Sequence, residues 1–128
     1  MKSYVKQLFS KNEMEVKEQK NIIKNLCIDT NIEKCYIDII ISSTLNLIQE
    51  YILNIQFEIP LISSRRMKVI IIACFWISMK FHSDDHCIFG ALDFVHIIDI
   101  DIDTNDIIFE EMSILKKLNF NIWKFMKE

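Results

Sequence analysis

The sequence has almost no glycine and almost no proline. Its 128 residues include one of each, Gly90 and Pro60. All-β folds and doubly wound sheets need many tight turns that depend on these two residues, so their scarcity favours helices joined by short polar connections. A P-loop or a dinucleotide-binding fingerprint needs several glycines in one loop, which this chain does not have. We therefore expect an all-α protein without nucleotide chemistry.

The chain also lacks a strongly basic character. Its formal net charge is -3, whereas domains that bind nucleic acid usually carry a clustered basic surface. The single compact basic group, residues 63–68 (SSRRMK), is interpreted as the solvated start of a helix. We expect no nucleic-acid partner.

Catalytic motifs are missing as well. The sequence contains no nucleophile elbow and no HExxH motif, and its cysteines and histidines form no pattern that predicts a nucleophile–base pair. The neighbouring carboxylates Glu110 and Glu111 are interpreted as ordinary residues of a helix surface. We expect neither an enzyme nor a cofactor.

Four cysteines are spread through the chain without CxxC spacing, and Cys74 lies within the most apolar segment. This pattern favours reduced thiols over a disulfide framework or a zinc site. The first residues contain no apolar region of signal-peptide length, and the nine-residue apolar run at 69–77 is too short to cross a bilayer. We expect an intracellular protein, of the nucleus or the cytoplasm, that does not enter a membrane.

Two acidic segments resemble metal sites without completing one. Between residues 99 and 110, carboxylates occupy positions 1, 3, 5 and 12 of an EF-hand calcium loop, but Thr104 stands at the sixth position, where the turn needs glycine. Residues 82–87 (HSDDHC) offer zinc-type ligands, but no second cluster completes a site. We expect a capped helix start, an interhelical loop and no bound metal.

Apolar periodicity, capping residues and breakers predict five helices. Pro60 and the residues around it are expected to form an ordered connection between the second and the third helix. The predicted helices cover residues 13–28, 32–53, 64–81, 87–98 and 104–118.

The predicted all-α core depends on whether residues 69–77 (VIIIACFWI) form a helix or a strand. β-Branched residues suit a buried strand, and periodicity alone does not distinguish a buried strand from a buried helix. No helix breaker lies between Arg65 and Phe81, and small residues such as Ala73 let neighbouring helices approach closely. We therefore predict a helix that is apolar on all sides and lies at the centre of a bundle.

The last predicted helix is expected to bury one apolar stripe and to be capped by Asp103 or Thr104. The stripe consists of Ile107, Ile108, Met112, Leu115 and Leu118.

Lys80 ends the most apolar stretch of the chain and directly precedes an aromatic residue, Phe81. Taken alone, such a lysine is explained by a helix C-terminus, where its stem lies on apolar neighbours and the helix dipole favours its ammonium group. The order of the segments around Lys80 indicates a further role for this residue.

Three segments, in this order, resemble the cyclin box: RRMKVIIIACFWISMKFHSDD (65–85), ALDFVHIID (91–99) and DTNDIIFEEMSILKKLNFNI (103–122). In cyclins a central helix ends in a lysine and an aromatic residue followed by acidic residues. A short helix with a DFV-type segment comes next, and a fifth helix ends in a Leu-Lys-x-Leu-x-Phe pattern.

The resemblance implies a five-helix cyclin-box bundle around a central buried helix. It implies a single cyclin-box domain over residues 19–122. Residues 1–18 would then form an N-terminal arm or short helix, and residues 123–128 a C-terminal tail.

In cyclins, a lysine and a glutamate at matching places contact the kinase. Here the matching residues are Lys80, with Phe81 beside it, and Glu111, which stands nine residues before Phe120. The resemblance therefore implies a regulatory subunit that binds and activates a cyclin-dependent kinase by docking on its regulatory helix. Both the cell-cycle type and the phosphate-sensing type of cyclin remain open.

A second family site is matched in part. Residues 19–23 (QKNII) fall where many cyclins carry the motif that starts the first helix and lines a substrate-docking patch. The matching residues are Lys20, Ile22 and Ile23.

Two other functions stay open from the sequence. One is a cyclin-fold adaptor or decoy that binds a kinase or another protein without activating it. The other is a small helical bundle that binds an amphipathic helix in a groove, as Bcl-2-type proteins do. The sequence lacks the Asn-Trp-Gly-Arg-like segment expected of that second class.

Overall fold

The computed structural model of this chain describes residues 16–30, 32–55, 62–82 and 102–126. These residues form α-helices and one 3-10 turn, without a strand among them. The all-α class is therefore confirmed. The elements are α1 (Val16–Asp29), α2 (Lys34–Ile55), α3 (Ser64–His82), α4 (Thr104–Lys117) and the 3-10 turn at Trp123–Phe125.

Four of the five predicted helices are present in the described part of the chain. The fifth prediction, a helix over residues 87–98, lies outside the described residues, as does the connection around Pro60. α4 corresponds to the helix predicted over residues 104–118.

α3 is the central element. Every residue from Val69 to Met79 is buried, and the helix packs against α1, α2 and α4. A helix surrounded in this way needs apolar residues on all its sides, which explains why this segment has no polar face. The predicted central helix is confirmed, and the alternative of a buried strand is wrong.

α1 and α2 cover the remaining sides of α3. α1 lies on α2 and α3 and buries Ile23, Leu26 and Cys27. Burial raises the pKa of the Cys27 thiol to about 11 and that of Cys74, in α3, well above its ordinary value, where the charge of Glu110 contributes as well. Both thiols therefore remain protonated and pack as small apolar groups.

α4 begins with a capping box. The carboxylate of Asp103 accepts a hydrogen bond from the Asn105 backbone N–H (3.3 Å), and the Asp106 carboxylate accepts one from the Asp103 backbone N–H (3.3 Å). Arg65 of α3 also donates to Asp106 (2.7 Å). The hydrogen bonds from Arg65 and from the Asp103 backbone, in that order of size, lower the pKa of Asp106. The start of α4 is thereby fixed beside the start of α3.

α4 buries only part of the stripe that its sequence predicts: Ile107 and Leu118 are buried, and Leu115 packs partly buried on the core. Its buried residues are Ile107, Glu110 and Ile114, which we call the inner face. Three large apolar residues, which we call the outer stripe, are exposed instead: Ile108 (47%), Phe109 (77%) and Met112 (46%). The predicted stripe was thus wrong about Ile108 and Met112 and omitted Ile114.

After α4 the chain reverses through two residues with positive φ, Asn119 (55°) and Phe120 (58°). The following 3-10 turn packs on α2, where the side-chain amide of Asn46 donates to the backbone carbonyl of Phe125 (3.1 Å). Met126 is buried. The chain after α4 is therefore folded back onto the bundle.

We expect Ala73→Leu to lower the free energy of unfolding by about 1–3 kcal/mol, because extra methyl groups at a fully buried position overpack the core. A urea or thermal melt measures this. The matched control is Lys24→Leu on the exposed side of α1, which should change stability by no more than about 0.5 kcal/mol. Equal effects of the two substitutions would contradict the central position of α3.

Candidate functional site

Lys80 and Glu111 meet at one edge of the bundle. Lys80 lies in the last turn of α3 and Glu111 near the middle of α4, and the Lys80 ammonium forms an ion pair with the Glu111 carboxylate. The lysine is partly exposed and the glutamate less so. The packing of α3 on α4 therefore brings together two residues that are 31 positions apart in the sequence.

Trp76 holds the ammonium group from a second side. It lies one helical turn before Lys80 on α3, and the Lys80 Nζ is 5.1 Å from the centroid of its ring. The contact places the cation over the electron-rich face of the indole. An exposed ion pair contributes about 0–1 kcal/mol, and an exposed cation–π contact contributes about 0.5–1 kcal/mol. The two contacts orient Lys80 more than they stabilise the fold.

Phe81 presents its ring beside this pair. Its side chain is half exposed and stands edge-on to His82, with ring centroids 5.2 Å apart and an interplanar angle of 76°. The His82 Nε2 lies 2.9 Å from the hydroxyl of Ser43 in α2. Burial lowers the pKa of His82, which favours the neutral form of the ring. The end of α3 is thus anchored to α2 while Phe81 faces solvent.

Glu110, the neighbour of Glu111, points into the protein. Only 5% of it is exposed, and its carboxylate accepts hydrogen bonds from Arg66 Nε (3.2 Å), Arg66 Nη2 (3.4 Å) and the hydroxyl of Tyr51 (2.7 Å). Since the single Tyr51 hydroxyl proton goes to the carboxylate, the Ser113 hydroxyl, 2.8 Å away, donates to the Tyr51 oxygen. We call these four residues the Glu110 network.

The Glu110 network corrects two interpretations from the sequence. Glu110 is not an ordinary surface residue, and Arg66 is more than the solvated start of a helix. Burial raises the pKa of Tyr51 to about 12, with the Ser113 hydrogen bond opposing and Glu110 reinforcing the change. Burial alone would lower the pKa of Arg66, but the hydrogen bonds and charge of Glu110 raise it.

The two consecutive glutamates reach toward opposite ends of α3. Arg66 lies in its first turn and Lys80 in its last, 14 residues apart, which corresponds to about 21 Å along the axis. Glu110 binds the first and Glu111 binds the second. α4 therefore crosses α3 between these ends, with the Arg65–Asp106 and Arg66–Glu110 ion pairs at the start of α3 and the Lys80–Glu111 ion pair at its end.

A second candidate site is a cleft of about 240 Å³ between α1 and α3. Of the residues predicted for a docking patch, Ile22 lines this cleft, Lys20 is exposed on α1, and Ile23 is fully buried in the core. Sequence reasoning did not identify the other lining residues, because three of them lie on α1 beyond residues 19–23 and the other three come from distant parts of the chain. The cleft is lined by Ile22, Asn25, Leu26, Asp29, Lys68, Ile72 and Ile102.

The acidic segments considered as metal sites are only partly described. Asp103 caps α4 and Glu110 binds Arg66, and no group of three or more metal-binding side chains occurs within residues 16–30, 32–55, 62–82 and 102–126. The remaining members of both segments lie outside those ranges. None of the helices described here is long and apolar enough to span a membrane.

Comparison with protein families gives one match. The profile of the cyclin N-terminal domain matches residues 40–123, about two thirds of the chain. The chain belongs to the cyclin family. Lys80, Phe81 and Glu111 lie within the matched residues, whereas residues 19–23 precede them. No curated protein and no solved structure matched the chain.

We expect Tyr51→Phe to lower the free energy of unfolding by about 1–3 kcal/mol, because the buried Glu110 carboxylate loses its shortest hydrogen bond. Ser113→Ala removes a hydroxyl that contacts Tyr51 and not the carboxylate, so its cost should be smaller, about 0.5–1.5 kcal/mol. Urea melts of both variants test this order, and a larger effect of Ser113→Ala would contradict it.

Stability should fall as the pH is lowered from about 7.5 to 5.5, through the ordinary histidine pKa near 6.5. The folded-state pKa of His82 lies below its unfolded value, so in this range the unfolded chain binds more protons and is favoured. In the His82→Gln variant the loss of stability over this pH range should be smaller. Urea melts at the two pH values measure it, and an equal loss in both proteins would show that His82 does not contribute.

Proposed function

We propose that this protein binds a cyclin-dependent kinase and holds it in its active arrangement, with Lys80, Phe81 and Glu111 at the contact. The observation that carries the proposal is the meeting of Lys80 and Glu111 at one edge of the bundle, beside a half-exposed aromatic ring. Membership of the cyclin family supports it. Membership of this family gives no support to the alternative of a Bcl-2-type groove.

The mechanism is a shift of the kinase between two conformations. A kinase is active when its regulatory helix is turned inward, so that the glutamate of that helix pairs with the phosphate-binding lysine. A partner that binds this inward state more tightly increases its population by the difference in affinity. The partner must itself be rigid, and the close-packed core around α3 supplies that rigidity.

The ion pair is suited to such a contact. The Lys80 ammonium has three donors and the Glu111 carboxylate two acceptor oxygens, so the pair retains hydrogen-bonding capacity beyond their mutual contact. Trp76 and α4 already hold both groups in place, so little side-chain freedom is lost when a partner docks. Charge-assisted hydrogen bonds to the kinase would then fix the orientation of docking.

Lys80→Glu should weaken binding to a purified cyclin-dependent kinase by about tenfold or more, since it places two negative charges at the contact. Its melting transition should stay cooperative, because an exposed ion pair contributes little stability. A panel of purified kinases is assayed by calorimetry or surface binding.

The matched control is Lys34→Glu, an equal charge reversal at an exposed position at the start of α2. It should leave binding unchanged. If Lys80→Glu binds as well as wild type does, or if it unfolds the domain, the proposed role of Lys80 is wrong.

Binding and activation are separated by a second measurement. Phosphorylation of a short peptide by the bound kinase should rise when the wild-type protein is added. Tight binding without this rise would identify the protein as an adaptor or decoy.

We also propose that the cleft between α1 and α3 docks a segment of the kinase's protein substrates. Its floor contains the apolar residues Ile22 and Ile72, and its rim carries charges of both signs, Asp29 and Lys68. An apolar peptide side chain with charged neighbours fits such a surface.

Ile22→Lys should lower phosphorylation of a protein substrate by the complex while leaving kinase binding and short-peptide phosphorylation unchanged. Ile28→Lys is the control, because Ile28 is exposed on the same helix and does not line the cleft. Equal rates for both variants on the protein substrate would argue against docking at this cleft.

A further inference from the structure

The face that α4 buries is not the face that its apolar residues favour. Successive residues of an α-helix point about 100° apart. On such a projection the apolar residues of α4 centre on the side of Leu115, close to the direction of Glu111. The observed α4 is instead rotated about its own axis by roughly the angle between two successive residues. As a result Glu110 lies on the inner face and the outer stripe is exposed. Apolar burial alone does not explain this orientation.

The hydrogen bonds and ion pair of the Glu110 network explain the orientation of α4. Its carboxylate is bound by Arg66 of α3 and by Tyr51 of α2, so two neighbouring helices hold α4 at one position. A rotation that turned Ile108 and Met112 toward the core would withdraw this carboxylate and leave a guanidinium and a buried hydroxyl without it. Unpaired buried polar groups are costly, whereas an exposed apolar side chain is tolerated.

We infer that Glu110 is a positioning residue that selects the rotation of α4 and thereby directs Glu111 toward Lys80. Because the two glutamates are consecutive, fixing the direction of the first fixes that of the second. The apolar residues around α4 supply stability in either orientation. The Glu110 network determines which of the two orientations α4 adopts. The same choice keeps Ile108 and Met112 on the surface, on the side of α4 next to Glu111.

The consequence for binding rests on the proposed function. In the selected orientation a partner that docks on Lys80 and Glu111 also meets Ile108 and Met112, which lie on the side of α4 next to Glu111 and are about half exposed. In the rotated orientation Glu111 would point into the bundle and Ile108 and Met112 would turn toward the core, so the surface would lose the ion pair and these two apolar side chains together. The Glu110 network would thus determine whether this surface can bind the partner, although the network itself does not contact the partner.

The test replaces the buried charges with apolar residues of similar size. In Arg66→Met/Glu110→Leu both charges are removed together, so no unpaired charge remains. Glu110→Gln is the conservative control, because its amide oxygen still accepts hydrogen bonds from Arg66 and Tyr51. Thermal melts of the full chain report stability separately from orientation.

Methionine methyl groups report the rotation directly. Met112 is 46% exposed in the outer stripe, whereas Met67 and Met79 are fully buried. With ¹³C-methyl-labelled methionine and a soluble paramagnetic agent, the Met112 signal should broaden strongly in the wild type and in Glu110→Gln. In Arg66→Met/Glu110→Leu its broadening should fall toward that of Met67 and Met79. Met112→Leu assigns the signal.

A cooperative melt of Arg66→Met/Glu110→Leu together with a protected Met112 supports the inference. A Met112 that stays as exposed as in the wild type overturns it, since the rotation would not depend on the charges. Loss of cooperative melting also overturns it, because the network would then supply stability and not the choice of orientation.

Kinase binding is measured on the same three proteins. We expect Arg66→Met/Glu110→Leu to lose binding by about tenfold or more, as Lys80→Glu does, and Glu110→Gln to retain it. If Met112 becomes protected and the kinase still binds, the positioning role of Glu110 stands and the proposed contact at Lys80 and Glu111 is wrong.

Discussion

A partly buried ion pair between the first turn of α3 and the middle of α4 is the constraint on which the arrangement of this protein depends. The guanidinium of Arg66 and the carboxylate of Glu110 lie where helix packing would otherwise use apolar side chains, and Tyr51 of α2 completes the arrangement. Such a pair contributes little net stability, because its desolvation offsets its attraction. Its geometric requirement is strict, and it fixes the relation of three helices to one another.

The candidate site is a product of that constraint. Glu111 follows Glu110 directly, so the direction of one carboxylate into the bundle determines the direction of the other along its edge. At that edge Trp76 and Lys80, one turn apart on α3, meet Glu111, and Phe81 stands beside them. Three of these four residues belong to the closely packed central helix α3, and Glu111 is joined to that helix by the ion pair, which suits a surface that must keep its shape when a partner docks.

The sequence predicted the parts of this structure that depend on apolar residues and on ordered motifs. Residues 69–77 were predicted as a central helix because no breaker interrupts them, and Lys80 and Glu111 were brought into one hypothesis by the cyclin resemblance. The rotation of α4 was mispredicted, because hydrophobic periodicity gives no weight to a buried carboxylate. The partners Arg66 and Glu110 are 44 residues apart, and no local pattern indicates their pairing. The i, i+4 spacing of Trp76 and Lys80 was a usable signal that the sequence reading did not use.

The exposed outer stripe has a consequence for which substitutions the fold tolerates. Ile108, Phe109 and Met112 take little part in the core, so their replacement disturbs the fold little. The neighbouring ion pair, by contrast, is tied to α3, where every residue from Val69 to Met79 is enclosed. Substitutions along this one side of α4 would therefore alter the chemistry of the surface beside the ion pair, while the fold and the charged pair itself stayed the same.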